Sequence, residues 1–173
     1  MQPDASAPDS TDEAEIRVVD DIHEMVGMVE LSDVYLWEER GRRVEETASE
    51  DDEAPRIRNV LNVADRNDRL GIGFRFRMTV DDRRGNEFLA DFQAQYDLPV
   101  PVKFSTEVRT EFAERVAFFT SYPYLRASIQ MTASRMGVPA PILAIVRAGE
   151  FKLGTPMTEE AAAAEFADTQ PEA

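Results

Sequence analysis

The sequence predicts an α+β domain in which helices cover one face of a four-stranded antiparallel sheet. Two observations support this class. Residues 29–98 contain four segments rich in apolar residues, separated by charged or turn-forming stretches. Residues 105–137 then place apolar side chains every three or four positions, as amphipathic helices do. Strands that all precede the helices are typical of an antiparallel sheet with helices on one side.

Length, charge and composition limit the partners and the chemistry open to the chain. Its 173 residues suffice for one domain with its own core. The net charge of −15 argues against nucleic acid or anionic membranes as partners, because both bind concentrated positive charge. The absence of cysteine excludes disulfides and thiolate chemistry. We expect a cytoplasmic protein without direct membrane insertion, because neither a secretory leader nor an apolar run of about 20 residues is present.

Composition also divides the chain into three parts. Residues 1–25 combine proline, serine, alanine and acidic residues and are predicted to form an acidic, disordered arm. Within residues 16–28, a mixture of apolar and acidic side chains fits a short helix as well as a continuation of this arm. Residues 26–155 are predicted to be the folded domain. Residues 156–173 are expected to form an alanine-rich, acidic helix and tail.

The first two strands are predicted at residues 29–38 and 57–64. Between them, a charged stretch from Gly41 to Glu53 is expected to be a long, solvated loop. Four apolar residues of the first strand share one parity and are expected to face the same way: Val29, Leu31, Tyr35 and Trp37.

The third and fourth strands alternate most clearly, over residues 70–80 and 87–98. A hairpin turn at residues 81–86 joins them, with Gly85 available for positive φ. On the fourth strand, even-numbered residues from Phe88 to Tyr96 are apolar or small, and the odd-numbered residues are mostly polar. Leu89 is the exception on the polar face, and there we expect an exposed leucine that suits a basic partner with an apolar spot.

Two helices are predicted to cover the apolar face of the sheet. Ser105 or Thr106 can cap a first helix that continues to Phe119. A bend at residues 121–123 follows, because the residue before a proline is forced out of the helical region. A second helix then begins at Pro123 and ends at Gly137. Residues 142–146 are expected to be extended, and residues 158–167 form a helix that is marginal on its own.

No catalytic or metal site is predicted. Neighbouring acidic residues, such as Asp51 and Asp52, fall in predicted solvated loops, where substrates are not enclosed. His23 is the only histidine and has no partner ligands for a metal in its neighbourhood, and the serines have no credible base. We therefore expect neither an enzyme nor a protein that needs a cofactor or a metal.

Large apolar side chains near the helical end instead favour a binding protein. For each one alone, filling the core is the simpler interpretation. Together they lie on more than one face of the helices, and the second face is most simply buried by another copy of the chain. Seven residues are predicted to line a groove for clients: Phe104, Phe118, Tyr122, Tyr124, Met136, Ile142 and Phe151.

Three motifs in this order resemble the SecB family of protein-export chaperones. The strongest is TSYPYLRASIQMTASRMGVP at residues 120–139, an aromatic-Pro-aromatic-x-Arg run followed by a helix and Gly-x-Pro. The second is NEFLADFQ at residues 86–93, and the third is LSDVYL at residues 31–36. The resemblance covers roughly residues 31–151 and implies a SecB-like fold.

The resemblance also implies a function. Members of the family are homotetramers, dimers of dimers, that bind unfolded preproteins without ATP and deliver them to the motor SecA. The residues implied in docking of the motor are Asp33, Leu89 and Asp91, whereas a second acidic residue of the family aligns with Trp37, to which the acidic Glu38 is adjacent. The alternative is a dedicated SecB-like chaperone for one client, such as an antitoxin. A purely structural oligomer and an enzyme on this scaffold are further alternatives.

Overall fold

The computed structural model of the chain describes residues 16–44 and 54–167. Two short strands and a helix accompany the main sheet and the helical layer. In chain order the elements are β1 (Val18–Val19), α1 (Ile22–Met28), β2 (Glu30–Arg43), β3 (Arg56–Asp65), β4 (Gly71–Asp81), β5 (Asn86–Asp97), β6 (Lys103–Phe104), α2 (Thr106–Phe112), a π-helical turn (Ala113–Ala117), α3 (Phe118–Arg135) and α4 (Glu159–Ala167).

The main sheet is antiparallel, with the strand order β2-β5-β4-β3. On β4 and β5, the alternation that was evident in the sequence decides which side chains face the helices. Phe74 and Phe76 of β4 are buried against Phe112 and Phe118 of the helical layer, with ring centroids 5.2 and 5.6 Å apart. Burial of each phenylalanine side chain away from water stabilises the folded state by roughly 1.5–3 kcal/mol. The predicted four-stranded antiparallel sheet with helices packed on one face is confirmed.

Two bulges change the orientation of side chains along β2. The register against β5 shifts between Leu31 and Asp33 and again between Leu36 and Glu38. Leu31 therefore stands opposite Tyr96 on the helical side, whereas Tyr35 is paired with Gln93 on the other side. The prediction that Leu31 shares a face with Tyr35 and Trp37 is wrong, because the first bulge adds a residue and reverses the parity, whereas Tyr35 and Trp37 do lie together, with ring centroids 5.8 Å apart. The strand also continues to Arg43, beyond the predicted end at residue 38.

The helical layer is continuous where a break was predicted. Ser105 caps α2 as expected, its hydroxyl accepting a hydrogen bond from the Val108 amide at 3.3 Å. The predicted bend at residues 121–123 is absent, because α2, the π-helical turn and α3 follow one another and Pro123 lies inside α3. An interior proline removes one hydrogen bond and costs about 3 kcal/mol. Burial of Phe118, Leu125 and Ile129 along the same helix opposes that cost.

The N-terminal part of the fold begins earlier than predicted. β1 pairs in parallel with β6, and α1 follows with Asp21 capping it through the Glu24 amide at 2.9 Å. Val19 and Met25 are fully buried, so residues 18–25 belong to the folded unit and the arm cannot extend to residue 25. The rest of the predicted arm, residues 1–15, lies outside the described residues, as do most of the predicted loop and the end of the predicted tail.

The last described helix lies on the opposite face of the sheet from α3. Residues 138–158, which we call the connecting segment, join α3 to α4 without helix or strand. Phe166 of α4 then contacts Arg75 and Arg77 of β4, whose side chains point away from the helical layer. Both faces of the sheet are therefore covered in part. Within the described ranges, none of the helices has the length and apolar character needed to cross a membrane.

Candidate functional site

An apolar surface remains exposed on the helical side of the protein. On α3, Tyr124 and Met131 are 48% and 50% exposed, and Tyr124 contacts the ring of Phe92 on β5. Leu36 of the edge strand β2, paired with Phe92, is 49% exposed. These residues extend the apolar surface from the edge of the sheet onto the outer face of α3. A continuous apolar surface of this kind is typical of a binding interface.

The connecting segment adds exposed apolar residues to this side. Leu143 is 2% exposed and packs into the core, whereas its neighbours Ile142 and Ile145 are 85% and 81% exposed. Near the turn between β4 and β5, Ile142 lines a cleft of about 300 Å³ together with Asp82, Arg84, three prolines and one alanine. The segment thus presents two β-branched apolar side chains to solvent on a backbone without helical or strand hydrogen bonds.

Three contacts hold the connecting segment on the helices. The Tyr122 hydroxyl donates a hydrogen bond to the Ala144 carbonyl. The Glu114 carboxylate accepts hydrogen bonds from the Lys152 ammonium at 2.7 Å and from the Leu153 amide at 2.9 Å. Between these polar contacts, the Phe151 ring stacks on Phe118 with centroids 3.6 Å apart.

Glu114 is the charged contact among the three. Glu114 lies in the π-helical turn and is only 9% exposed. The hydrogen bond from Lys152 lowers the pKa of the Glu114 carboxyl, partial burial raises it, and the Leu153 amide lowers it further, so that the net shift is downward. The carboxylate is therefore favoured in its charged form, in which it accepts both hydrogen bonds.

The predicted groove residues divide into those the structure brings together and those it does not. Phe118, Tyr122 and Phe151 form one aromatic cluster, with 5.2 Å between the centroids of Phe118 and Tyr122. Met136 is half-buried, and Tyr124 and Ile142 are exposed. The prediction that Phe104 lines the groove is wrong. Phe104 is 2% exposed on β6, next to β1, where it fills the core. Phe118 is also buried, at 1%, and reaches the connecting segment only through Phe151.

On the opposite face of the sheet, Asp91 occupies the centre of an ion-pair network. The Arg75 guanidinium donates two hydrogen bonds to its carboxylate, at 2.8 and 2.7 Å, and Arg77 donates a third at 3.2 Å. Glu38 lies 3.0 Å from the same Arg77 nitrogen. Asp91 is fully buried and Arg77 is 3% exposed. Such a network constrains its members, because each buried charge needs its partners.

The predicted docking residues therefore have three different environments. Asp33 is exposed on β2, and its carboxylate accepts a hydrogen bond from the Val34 amide. Leu89 lies on the polar face as its parity indicated, but its predicted exposure is wrong: 4% of it is exposed, because arginine stems and α4 surround it. Asp91 is enclosed by arginines. None of these observations tests a role in docking.

The second bulge of β2 determines the face of Glu38, the acidic residue next to Trp37 in the sequence. Glu38 pairs with Asp91 across the strands, so the bulge directs it to the polar face beside Trp37. An acidic residue is thus present on this face although Trp37 occupies the aligned position. Trp37 itself donates a hydrogen bond to the Gln93 side chain at 3.1 Å, and its ring lies 4.3 Å from the Arg75 guanidinium. A bulge cannot be inferred from the alternation of a single strand. The placement of Trp37 and Glu38 on one face was therefore not predicted.

The C-terminal helix α4 completes this face. The Arg75 guanidinium, already in contact with Trp37, lies 4.5 Å from the Phe166 ring, and Glu165 forms an ion pair with Arg58 of β3. Between α4 and the sheet a cleft of about 750 Å³ remains open. As for metals, no group of three or more potential ligands comes together anywhere in the described part of the chain.

Comparison with known proteins identifies relatives. The chain is 36% identical to the SecB-like chaperone SmegB of Mycolicibacterium smegmatis over 134 residues, which are 78% of this chain and 86% of the relative. Its fold is similar to that of the Mycobacterium tuberculosis Rv1957 SecB-like chaperone, solved in complex with a ChAD peptide from the Rv1956 HigA1 antitoxin. That match has a TM-score of 0.59 at 16% identity and covers 72% of this chain and 92% of the other. No protein-family model matches the chain.

Proposed function

The chain belongs to the family of SecB-like chaperones, and from this we propose that it holds non-native segments of a client protein on its helical side, in the cytoplasm and without ATP. The proposal rests on the connecting segment, where Ile142 and Ile145 are exposed on either side of Ala144, whose carbonyl accepts a hydrogen bond from Tyr122 of α3. Apolar side chains on an irregular backbone can adapt to varied extended clients, and many weak contacts together supply affinity. No nucleotide-binding step is needed for such holding.

A dedicated client is the assignment that we favour, and an antitoxin is the kind of client that we propose. The Mycobacterium tuberculosis relative of similar fold was solved with a peptide from an antitoxin, which supports a client of this kind for the present chain. Docking to SecA and export of preproteins form the second assignment. For that assignment the expected docking residues are Asp33, Leu89 and Asp91, of which Leu89 lies in the cleft beneath α4.

We further propose that the protein is a homotetramer. The exposed side chains Leu36, Tyr124 and Met131 form an apolar surface that a second copy of the chain would cover. Helix faces with apolar residues on both sides are typical of such assemblies. Light scattering coupled to size exclusion, with and without an excess of unfolded client, measures the assembly and the uptake of client in one experiment. A monomer that ignores every client would contradict both proposals.

A double variant tests the client surface itself. Replacing Ile142→Ser and Ile145→Ser removes two apolar side chains that are already in water, so the fold should keep its stability while the holding of client is reduced about tenfold or more. Val100→Ser is the matched control, because Val100 is 49% exposed but lies before β6. Suppression of client aggregation is the readout. Equal suppression by the double variant and the control would remove the connecting segment from the client surface.

The choice between the two kinds of client needs a second assay. A panel of unrelated unfolded proteins is compared with an antitoxin from a toxin–antitoxin pair of the same organism, at equal concentrations. A dedicated chaperone forms a saturable complex with the antitoxin and leaves the panel to aggregate. Protection of the whole panel, together with binding to SecA, would instead support export.

A further inference from the structure

The part of the connecting segment that lies on the π-helical turn is held by few contacts. Residues 150–153, which we call the latch, have neither helix nor strand structure. Among the described residues, the Leu153 amide is the only backbone group of residues 151–154 that bonds to the rest of the protein, and it bonds to Glu114. Glycines flank the latch, Gly149 with a φ of +87° on one side and Gly154 on the other. A short segment between two such flexible positions can move as a hinged unit.

The side chains of the latch alternate in direction, as they do in an extended chain. Phe151 and Leu153 are half-buried, whereas Lys152 between them is exposed. The Phe151 ring stacks on Phe118 with centroids 3.6 Å apart. The Lys152 ammonium donates a hydrogen bond to the Glu114 carboxylate at 2.7 Å. An aromatic, a basic and an aliphatic residue in succession therefore make all the contacts of the latch.

The surface under the latch is apolar and needs a cover. Phe76 and Phe118 are each 1% exposed, and the Phe151 ring contacts both of them. A cleft of about 210 Å³ between the latch and the sheet includes Val60, Leu61 and Phe76 in its lining. Departure of the latch would expose the two phenylalanine rings to water. This is unfavourable unless another aromatic side chain takes the place of Phe151.

Glu114 adds a requirement for positive charge. It is 9% exposed, and Lys152 of the latch supplies its close cation. Arg115 lines the same cleft beside Glu114 but is paired with Glu111 at 2.9 Å. A carboxylate with so little access to water needs a partner. Removal of Lys152 therefore favours a segment that brings a basic side chain to the same position.

We infer that this site recognises client segments in which an aromatic, a basic and an aliphatic residue follow one another, and that the latch occupies the site until such a segment displaces it. The inference rests on the proposed function and names the client sequences that the helical side prefers. The client places its ring on Phe118, its basic side chain at Glu114 and its aliphatic side chain in the cleft beside Leu61. The amide of its aliphatic residue takes the place of the Leu153 amide.

Two variants of the full-length protein disable the latch in different ways. Phe151→Ala removes the ring that competes for the site, and Lys152→Ala removes the cation but keeps the ring. Because the Lys152 side chain is 64% exposed, the second variant should fold even where the first is destabilised. Phe166→Ala and Lys103→Ala are the matched controls, since they alter a half-buried phenylalanine on the opposite face of the sheet and an exposed lysine on β6. Urea unfolding checks that each variant is folded.

The probe is a fluorescently labelled, amidated peptide with the sequence of residues 147–154, RAGEFKLG. Its anisotropy should report binding at least about tenfold tighter to Phe151→Ala, and about threefold tighter to Lys152→Ala, than to the parent protein, because an occupied site lowers the apparent affinity. The matched controls should bind the peptide as the parent protein does. Peptides with alanine in place of the phenylalanine, or glutamate in place of the lysine, should bind Phe151→Ala at least about tenfold more weakly.

Hydrogen exchange of the Leu153 amide in the parent protein tests displacement of the latch directly. A saturating excess of the peptide should speed this exchange at least about threefold, because the displaced latch loses its hydrogen bond to Glu114. The Val108 amide, which is bonded to Ser105 at the start of α2, should keep its rate and serves as the internal control.

Several results would overturn the proposal. These are absence of peptide binding to both latch variants, equal binding to the parent protein and the latch variants, equal binding of the altered peptides, or unchanged Leu153 exchange at saturation. Weaker binding to Phe151→Ala than to the parent protein would also overturn it, because the ring would then be part of the binding surface instead of a competitor. The holding of clients is measured separately, by suppression of aggregation. Failure of that assay contradicts the proposed function, whereas failure of peptide binding contradicts the latch.

Discussion

For Leu89 and Asp91 the side of the sheet on which each residue lies could be predicted, whereas their burial could not. The alternation of β5 indicates which side of the strand Leu89 and Asp91 occupy, and the structure agrees. Their burial comes from elements that are distant in sequence, namely the arginines of β4 and the helix α4. Periodicity reports only the local direction of a side chain, so burial by remote elements could not be inferred from it.

Asp91 provides the clearest test at this scale. Asp91→Ala leaves the buried Arg77 and the partly buried Arg75 without the carboxylate that they share, and we expect the free energy of unfolding to fall by about 3 to 5 kcal/mol. Asp33→Ala, at an exposed carboxylate on the same face, should change it by only about 0.5 kcal/mol. Urea unfolding of both variants is the measurement. Equal losses would mean that the network around Asp91 contributes little to stability.

Glu114 allows a prediction about pH. Its pKa is lower in the folded protein than in the unfolded chain, so the unfolded state binds more protons at acidic pH. Its contribution to stability is therefore complete above the ordinary glutamate pKa of about 4.3 and is lost as pH falls through the lower, folded value. Glu114→Gln should cost about 1 kcal/mol near neutral pH, because the Lys152 ammonium is largely exposed and the pair is partly screened.

The test compares Glu114→Gln with the parent protein in urea at several pH values. The difference in unfolding free energy should shrink as the solution becomes more acidic and vanish once Glu114 is protonated in both states. Exchange of the Leu153 amide, followed in both proteins at each pH, locates the effect at the connecting segment. A difference that stays constant from neutral to acidic pH would exclude the charge of Glu114 as its cause.

Among the elements, β4 and β5 were the most predictable and β2 the least. Strict alternation over residues 71–81 and 86–97 leaves one arrangement in which the phenylalanines face the helices. The bulges of β2 depend on how it pairs with β5, and no local pattern marks them. The predicted bend before Pro123 was wrong for a related reason. A proline stops an isolated helix, whereas burial against the sheet holds α3 together. Tertiary packing overrode local preference in both elements.

The approach of α3 to β2 depends on a glycine. A Cβ at Gly41 would lie 2.3 Å from the Met136 sulfur and 2.6 Å from the Thr132 Cγ2. Met136 can move, but the Thr132 methyl is fixed on the helix, so Gly41→Ala should lower the free energy of unfolding by about 1 to 3 kcal/mol. Glu39, two residues earlier, pairs with Arg135 and accepts a hydrogen bond from Ser128, which holds the helix at this distance.

Two further substitutions separate crowding from the general effect of losing a glycine. Gly27→Ala in α1, where a Cβ meets nothing within 4 Å, should raise stability by about 0.5 kcal/mol. Thr132→Ser removes the methyl group that a Cβ at position 41 would strike. The double variant Gly41→Ala with Thr132→Ser should therefore recover part of the stability that Gly41→Ala loses. Thermal unfolding of the parent protein, Gly41→Ala, Thr132→Ser and their double variant forms a double-mutant cycle that measures this coupling. Additive effects of the two substitutions would exclude a direct clash.

At the scale of the whole molecule, the family, the fold class and the helical side could be predicted, whereas the covering of the second face could not. Three motifs in order were sufficient for the family, which the 36% identical relative supports. The sequence of residues 158–167 favours a helix, but nothing in it indicates where that helix lies. Its position depends on arginines of β3 and β4 that come together only when these two strands pair. The surface on which α4 lies is therefore a property of the fold and of no single segment.

The last prediction concerns the charge of the whole protein. With a net charge of −15, the field around the molecule should attract positively charged unfolded clients and repel negatively charged ones. Salt screens this field over about 10 Å at 0.1 M, so the association rate of a basic client should fall on the order of tenfold between dilute and moderately concentrated salt. The rate for an acidic client of the same length should rise. Stopped-flow measurement of both clients tests this, and the same response to salt in both would mean that apolar contacts alone govern capture.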